Sequence, residues 1–180
     1  NVSCAGAGQP MAFHLFPVSA EALDCVVHPQ PVVRCLVSYV DGSVLAQMAA
    51  PDMRTPIAVA LAWPKRMTAP TEKLDLARLG TLTFETPDEL RFPALRVARS
   101  ALRRGDTAPA VLNAANEITV PAFLPEAIGL LEIAEMVEDT LHRADGLNLT
   151  QAPASIAEAV ALDRQGRPLA TELVTRREAL

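Results

Sequence analysis

The chain has 180 residues, of which 50% are hydrophobic and 21% are charged, and its formal net charge is -5. This length can bury the core of one domain or of two small ones, and the composition argues against a disordered chain. The negative charge argues against a general nucleic-acid binder, because phosphate binding needs a concentrated positive surface. No apolar stretch reaches the roughly 20 residues that span a bilayer, so we expect no membrane segment.

The cysteines indicate a reducing compartment. Cys4, Cys25 and Cys35 form no C-x-x-C pair and leave an odd count, which argues against a disulfide framework or a structural zinc site. No basic region precedes the apolar stretch Met11–Ala20, as it would in a signal peptide. We therefore expect a cytoplasmic protein with reduced thiols. Because the first residue is Asn1 rather than Met, we also expect a processed product or a piece of a longer protein.

The first half of the chain has the residue types of strands. Residues 1–19 show no clear period and are left unassigned. Three segments rich in Val, Leu and Tyr then predict strands, at Leu23–Val27, Val32–Val40 and Ser43–Met48. Asp41-Gly42 separates the last two, and Asp-Gly tolerates the positive φ angles of a tight turn. The pattern therefore predicts a β-hairpin.

The segment after the hairpin is less regular. The prolines and the aspartate of Pro51–Pro56 predict a loop. Ile57–Trp63 is apolar without a polar period, so it fits a short buried helix or strand, with the alanines favouring a helix. Lys65–Pro87 is expected to be an irregular linker that contains one short strand, Leu79–Phe84.

From Pro93 onward the signals are helical. A first helix is predicted to end at Gly105, a second to cover Ala110–Leu124 with a break or kink at Pro121, and a third to cover Leu130–Arg143. A further set of signals closes the chain: the capping box "SIAE" begins at Ser155, and a last amphipathic piece begins near Pro168. The fold class is therefore predicted as α+β, a hairpin or sheet followed by a linker and an all-helical bundle of four or five helices.

The residues alone form no complete active site. The "GAG" at residues 6–8 lacks the other parts of a dinucleotide fingerprint, and His14, His28 and His142 have no partner at a metal-ligand spacing. We interpret His28, which lies between a strand and a proline, as structural. We interpret one side of the first predicted helix as a solvated face. It carries four arginines: Arg96, Arg99, Arg103 and Arg104.

One helix carries unexpected polar residues. Asn113, Asn116 and Glu117 lie among small and apolar residues in the middle of the predicted second helix. Asn is a mediocre helix former, because its side chain competes for backbone groups. We therefore expect these side chains to form a buried polar network that joins helices, with a structural rather than a catalytic role.

Six short segments together resemble a known family. In chain order they are HPQ (28–30), DGSVLAQ (41–47), PDMRTPIA (51–58), AWP (62–64), LTF (82–84) and LNAANEI (112–118). They are similar to the C-terminal part of the 1-deoxy-D-xylulose 5-phosphate reductoisomerase family, and the similarity covers roughly residues 20–180. It implies a catalytic and dimerisation sheet domain within residues 1–51, a linker at 52–87 and a helical domain at 88–180.

The resemblance also implies an activity for the whole enzyme. Family members convert 1-deoxy-D-xylulose 5-phosphate to 2-C-methyl-D-erythritol 4-phosphate in non-mevalonate isoprenoid biosynthesis, with NADPH and a divalent cation, Mg or Mn. They are homodimers, which implies a homodimer through the sheet here. Met53 matches a methionine that lines the active-site cavity near the nicotinamide. A thioether suits such packing but carries no chemistry, so no catalytic residue is assigned.

Several family positions are not matched. Cys4–Gly8 align with the Asn-Lys-Gly-x-Glu motif that binds phosphate and metal, and Gly6 alone agrees. Pro31 and Arg34 stand where the family usually has serine and histidine, and Pro121 is unexpected. We therefore expect neither NADPH nor metal to bind this chain alone, and we expect it to be inactive by itself.

Two functional hypotheses follow. In the first, the chain is the C-terminal portion of a reductoisomerase. The alternative is a stand-alone, non-catalytic module derived from that family, which dimerises or binds a partner through the exposed edge of its hairpin.

Overall fold

The computed structural model describes residue 15 and residues 19–179. Two compact units divide the chain: Val26–Thr86 forms one, and Asn1–Cys25 with Pro87–Leu180 forms the other. Among the described residues no helix is both long and apolar enough to cross a bilayer. The unassigned stretch at residues 1–19 lies, apart from residues 15 and 19, outside the described residues.

The smaller unit contains an antiparallel hairpin of two strands. Strand β1 covers Val33–Ser38 and strand β2 covers Val44–Met48. The turn matches the sequence prediction: Gly42 has a φ of 85°, and the Asp41 carboxylate accepts hydrogen bonds from the backbone N–H and the hydroxyl of Ser43, at 2.9 and 2.6 Å. The Asp-Gly signal therefore located this hairpin correctly.

Two helices follow the hairpin. Helix α1 covers Arg54–Ala62, which resolves the ambiguity of that apolar segment in favour of a helix. Helix α2 is a single turn, Leu76–Leu79, capped by the Asp75 carboxylate, which accepts from the backbone N–H groups of the second and third helical residues. No residue of α2 is buried, so this turn does not contribute to a hydrophobic core.

Two of the predicted strands are wrong. Leu23–Val27 is not a strand, because Val27 alone pairs, in an isolated bridge with Glu85. The predicted strand Leu79–Phe84 is also absent. Its start is taken by the end of α2, and Gly80, with a φ of 72°, turns the chain away from a helix and from a strand.

The described part of the larger unit contains four long helices: α3 at Ala94–Arg104, α4 at Ala108–Phe123, α5 at Leu130–Gly146 and α6 at Ile156–Glu178. Their apolar faces meet in one core, which includes Val97, Ala101, Val111, Leu112, Ala115, Ile133, Val137, Leu141, Ala170 and Val174. Three of these ten residues are alanines, whose small side chains let helix axes approach closely. The predicted C-terminal helical bundle is therefore confirmed, with four helices.

Helix boundaries agree with the capping signals but not with the prolines. Ser155 caps α6, since its hydroxyl accepts from the Glu158 backbone N–H, as the capping box predicts. The helix then continues through Pro168 to its end at Glu178, so the separate piece predicted near Pro168 is wrong. Pro121 likewise lies inside α4, two residues before its end, and does not break it.

Candidate functional site

The loop after the hairpin is built around one aspartate. The Asp52 carboxylate accepts from the Arg54 backbone N–H at 2.9 Å and from both Nε and Nη2 of the same side chain, with Nη2 at 2.5 Å. This pairing with the guanidinium lowers the pKa of Asp52. The carboxylate therefore contacts both the backbone and the side chain of Arg54, and one residue lies between the two.

That residue is Met53. It directly precedes α1, and its side chain is 69% exposed. Further large apolar side chains of the same helix and its end also face outward, with Leu61 at 77% and Trp63 at 76% exposure. In the loop Pro51–Met53, which we call the Met53 loop, and along α1, large apolar side chains are therefore exposed.

A second cluster connects two of the motifs. His28 Nδ1 lies 2.7 Å from the Thr83 carbonyl oxygen, and the imidazole stacks on Phe84 with ring centroids 4.7 Å apart. Gln30 completes the cluster: its Nε2 donates to the Thr83 hydroxyl at 3.2 Å, and its Oε1 accepts from the Thr83 backbone N–H at 3.1 Å. The segments HPQ and LTF thus clasp each other. The structural interpretation of His28 agrees with these contacts.

Pro31 and Arg34, which stand where the family usually has serine and histidine, lie near the start of β1. Pro31 directly precedes Val32, which is 7% exposed. Arg34 lies at an irregularity in the ladder, since Val33 pairs with Met48 and Cys35 pairs with Gln47. An extra residue of this kind leaves the pairing and re-aims its side chain. Arg34 is exposed there.

The described residues do not fit a divalent cation. Among residue 15 and residues 19–179, no group of three His, Cys, Asp or Glu side chains converges on a point that could hold a metal ion. Cys4–Gly8, at the position of the family's phosphate and metal motif, lie outside the described residues. No chemical step through a metal is therefore derived from this chain.

Three arginines of α3 form ion pairs at the surface. Arg96 donates to Glu138, Arg104 donates to Asp145 at 2.6 Å, and Arg99 pairs with both Asp24 and Glu89. The expectation of a solvated face agrees with the exposure of Arg96, Arg103 and Arg104, while Arg99 is half-buried. A cleft of about 280 Å³ beside Arg99 also contains Glu21, Asp24 and Arg103. Its two arginines and two carboxylates give the cleft a net charge close to zero.

The polar residues of α4 lie at the surface. Asn113 and Glu117 are exposed and Asn116 is half-buried, so the expectation of a buried network is wrong. The expectation that they join helices is correct: Glu117 accepts from Asn113 Nδ2 at 2.9 Å and from Arg167 of α6 at 2.7 Å. The Arg167 guanidinium, followed by the Asn113 amide, lowers the pKa of Glu117.

A family model describes most of this chain. Residues 48–169 match the model of the DXP reductoisomerase C-terminal domain. That stretch includes the Met53 loop and α4 with Asn113 and Glu117. The match therefore covers both the end of the smaller unit's hairpin and most of the helical unit.

Curated relatives agree with the family model. A 1-deoxy-D-xylulose 5-phosphate reductoisomerase of Afipia carboxidovorans is 51% identical over 163 residues, which are 91% of this chain and 40% of the relative. One from Rhodospirillum centenum is 59% identical over 130 residues, 72% of this chain and 32% of the relative. The chain thus spans about 40% of the length of the first of these relatives.

Solved structures show the same fold. A reductoisomerase from Zymomonas mobilis in complex with NADPH is 46% identical and superposes with a TM-score of 0.85, covering 96% of this chain and 44% of that one. A DOX-P reductoisomerase in complex with magnesium is 40% identical, also with a TM-score of 0.85. By its sequence and its fold, the chain belongs to the 1-deoxy-D-xylulose 5-phosphate reductoisomerase family.

Proposed function

We propose that this chain is the C-terminal portion of an enzyme that converts 1-deoxy-D-xylulose 5-phosphate to 2-C-methyl-D-erythritol 4-phosphate with NADPH. The observation that carries the proposal is the 51% identity to a curated reductoisomerase over 91% of this chain. The solved structures with NADPH and with magnesium support these as the cofactors of the whole enzyme. The chain spans only 40% of the relative, so the activity belongs to the whole protein.

In this proposal the parts of the chain have different roles. Residues 1–51 contribute to the sheet domain of catalysis and dimerisation, residues 52–87 connect, and residues 88–180 form the helical domain. The two strands at Val33–Ser38 and Val44–Met48 and the four helices from Ala94 onward support this division. Met53 lines the active-site cavity beside the nicotinamide, which its 69% exposure beside an apolar helix supports.

The chain by itself is proposed to be inactive. Its described residues bring together no metal site, and a metal-dependent reaction without its charge-stabilising ligands loses a large catalytic contribution. We also place the protein in the cytoplasm, which the free, exposed thiol of Cys35 supports. The assay is NADPH oxidation by the purified chain with magnesium and substrate. Turnover above the rate without protein would contradict inactivity.

Homodimerisation through the sheet is part of the same proposal. The hairpin exposes large apolar side chains, among them Tyr39 at 53%, Val44 at 58% and Leu45 at 61%. An isolated two-stranded hairpin is at best marginally stable in water. A second copy of the chain would cover these apolar side chains. Light scattering after size exclusion measures the mass directly. A dimer supports the proposal, and Leu45→Lys should then give a monomer.

The second candidate is a stand-alone module that dimerises or binds a partner without catalysis. The same exposed hairpin favours it. A dimer that melts in one cooperative transition and supports no turnover, alone or joined to the rest of a reductoisomerase, would favour the module over the enzyme portion.

A further inference from the structure

The smaller unit has almost no core of its own. Among residues 26–86, all of which are described, Val32 is the one buried side chain, at 7% exposure. Burial of apolar side chains is normally the main stabilising term of a fold. Within this unit, hydrogen bonds connect segments that are far apart in sequence.

The strongest such connection is the cluster of His28, Gln30 and Thr83, which we call the HPQ clasp. It joins the segment before β1 to the segment after α2. Beside it, the backbones of Val27 and Glu85 exchange two hydrogen bonds of 2.9 Å each. The clasp therefore ties together the two ends of the unit.

The clasp fixes the tautomer of His28. A carbonyl oxygen can only accept, so the 2.7 Å contact with Thr83 requires the proton on Nδ1. Nε2 then carries the lone pair. It is buried and has no hydrogen-bond partner among the described residues. An imidazole with one buried, unpaired nitrogen is costly, and the bond at Nδ1 and the stack on Phe84 offset that cost.

From the clasp a continuous series of contacts leads to the Met53 loop. The Val32 backbone N–H donates to the Gln30 carbonyl at 2.7 Å, and the Ala49 N–H donates to the Val32 carbonyl at 3.0 Å. Ala49 lies four residues before Met53. Gln30 of the clasp is therefore connected through Val32 to Ala49. Ala49 lies at the base of the hairpin, where the Met53 loop begins.

We propose that His28, as its Nδ1–H tautomer, is a positioning residue: it fixes the base of the hairpin through the HPQ clasp and thereby the place of the Met53 loop. The HPQ motif then has a role that depends on one proton of the His28 side chain. It rests on the proposed function only in so far as Met53 lines the cavity. The experiments that test the proposal measure no enzymatic turnover. They can therefore contradict the role of His28 without contradicting the proposed function.

The first test is the tautomer itself. Long-range nitrogen–proton NMR spectra of the full chain at mildly alkaline pH distinguish the two neutral tautomers, and His28→Gln assigns the signal. The expected result is a single neutral species with the proton on Nδ1. A proton on Nε2, or a fast-exchanging mixture of the two, would overturn the inference.

The second test compares two amides placed at His28. In His28→Asn the amide nitrogen falls near the position of Nδ1 and can still donate to Thr83, whereas in His28→Gln the longer side chain places it near Nε2. Both variants lose the stack on Phe84, so that loss does not separate them. Hydrogen exchange is measured at the amides of Glu85, in the bridge, and Ala49, at the hairpin base.

We expect His28→Gln to accelerate exchange at both amides by about tenfold, as for the loss of one net hydrogen bond, and His28→Asn to restore most of the protection. Equal acceleration in the two variants, or acceleration at Glu85 with none at Ala49, would overturn the inference. If neither variant folds, hydrogen exchange is measured in the milder variant Gln30→Ala instead. Unchanged exchange at the Ala49 amide in that variant would overturn the inference.

Discussion

Arg96 on α3 and Glu138 on α5 form a two-pronged ion pair, with Nη1–Oε1 at 2.6 Å and Nη2–Oε2 at 2.8 Å. The two side chains are 45% and 30% exposed, so solvent screens the pair in part. Bidentate geometry is the arrangement in which a surface pair is worth most. The pair connects two helices of the bundle and lowers the pKa of Glu138.

The first prediction concerns acid stability. Glu117, Glu132 and Glu138 have pKa values below their ordinary 4.5, because of Arg167, the Gly129 backbone N–H and Arg96 respectively. A carboxyl with a lowered folded-state pKa contributes stability above its unfolded pKa and loses it as the pH falls through the folded value. We expect the free energy of unfolding to be constant near neutral pH and to fall below about 4.5.

Glu138→Gln tests this assignment. We expect it to lower the free energy of unfolding by about 0.5–1 kcal/mol at neutral pH and by less in acid, where the wild type has also lost the charge. Urea unfolding at both pH values measures this. Glu135→Gln on the exposed side of α5 is the control and should change little. An effect of Glu138→Gln that is as large in acid would contradict the ion-pair account.

The second prediction concerns the core of the helical unit. Leu95 is 2% exposed, and Leu90, five residues earlier, is 94% exposed. We expect Leu95→Ala to lower the free energy of unfolding by about 2–5 kcal/mol, because it removes buried methyl groups and leaves a cavity. Leu90→Ala should stay within about 0.5 kcal/mol. Denaturant unfolding measures both variants. Similar losses of unfolding free energy in the two would contradict the burial of Leu95 in the core.

The third prediction concerns a glycine inside α6. A Cβ on Gly166 would meet Val111 Cγ1 at 3.6 Å and Ala114 Cβ at 3.7 Å, which is ordinary contact. We expect Gly166→Ala to raise the free energy of unfolding by about 0.5–1 kcal/mol, through its higher helix propensity. Gly105→Ala is the matched contrast. Gly105 has a φ of 72°, which an alanine adopts at a cost, so we expect destabilisation.

A thermal melt of both variants measures this contrast. The expected order of Tm is Gly166→Ala above wild type above Gly105→Ala. A lower Tm for Gly166→Ala would mean that α4 and α6 approach more closely than these distances indicate.

The fourth prediction concerns Met53 in the whole enzyme. Because a lining thioether carries no chemistry, we expect Met53→Leu in an active protein that contains this chain to leave kcat within about threefold, since the swap conserves volume. The larger effect should fall on the KM for NADPH. Steady-state kinetics separate the two constants. A fall of a hundredfold or more in kcat would contradict the lining role.

The sequence located the elements whose signals are local. The Asp41-Gly42 turn, the Ser155 cap and the apolar repeat of Leu130 onward each depend on residues a few positions apart, and each prediction agrees with the structure. The family resemblance came from short motifs in the right order, and the comparisons confirm it.

Predictions failed where a distant contact decides. A separate piece is predicted from Pro168, yet α6 continues through it, with Gly166 beside Val111 and Ala114 of α4. Asn113 was expected to be buried because its neighbours are apolar, yet it lies on the exposed side of α4. The HPQ clasp has no local signal either, because 55 residues separate His28 from Thr83.

The most direct test of the central claim is turnover by a chimera. The C-terminal part of the Afipia carboxidovorans reductoisomerase, the 40% that this chain matches, is replaced by this chain from residue 20 onward. NADPH oxidation is then measured with 1-deoxy-D-xylulose 5-phosphate and magnesium. The account predicts substrate-dependent oxidation by the chimera and none by the Afipia protein truncated at the same point. A folded chimera that binds NADPH without turnover would contradict it.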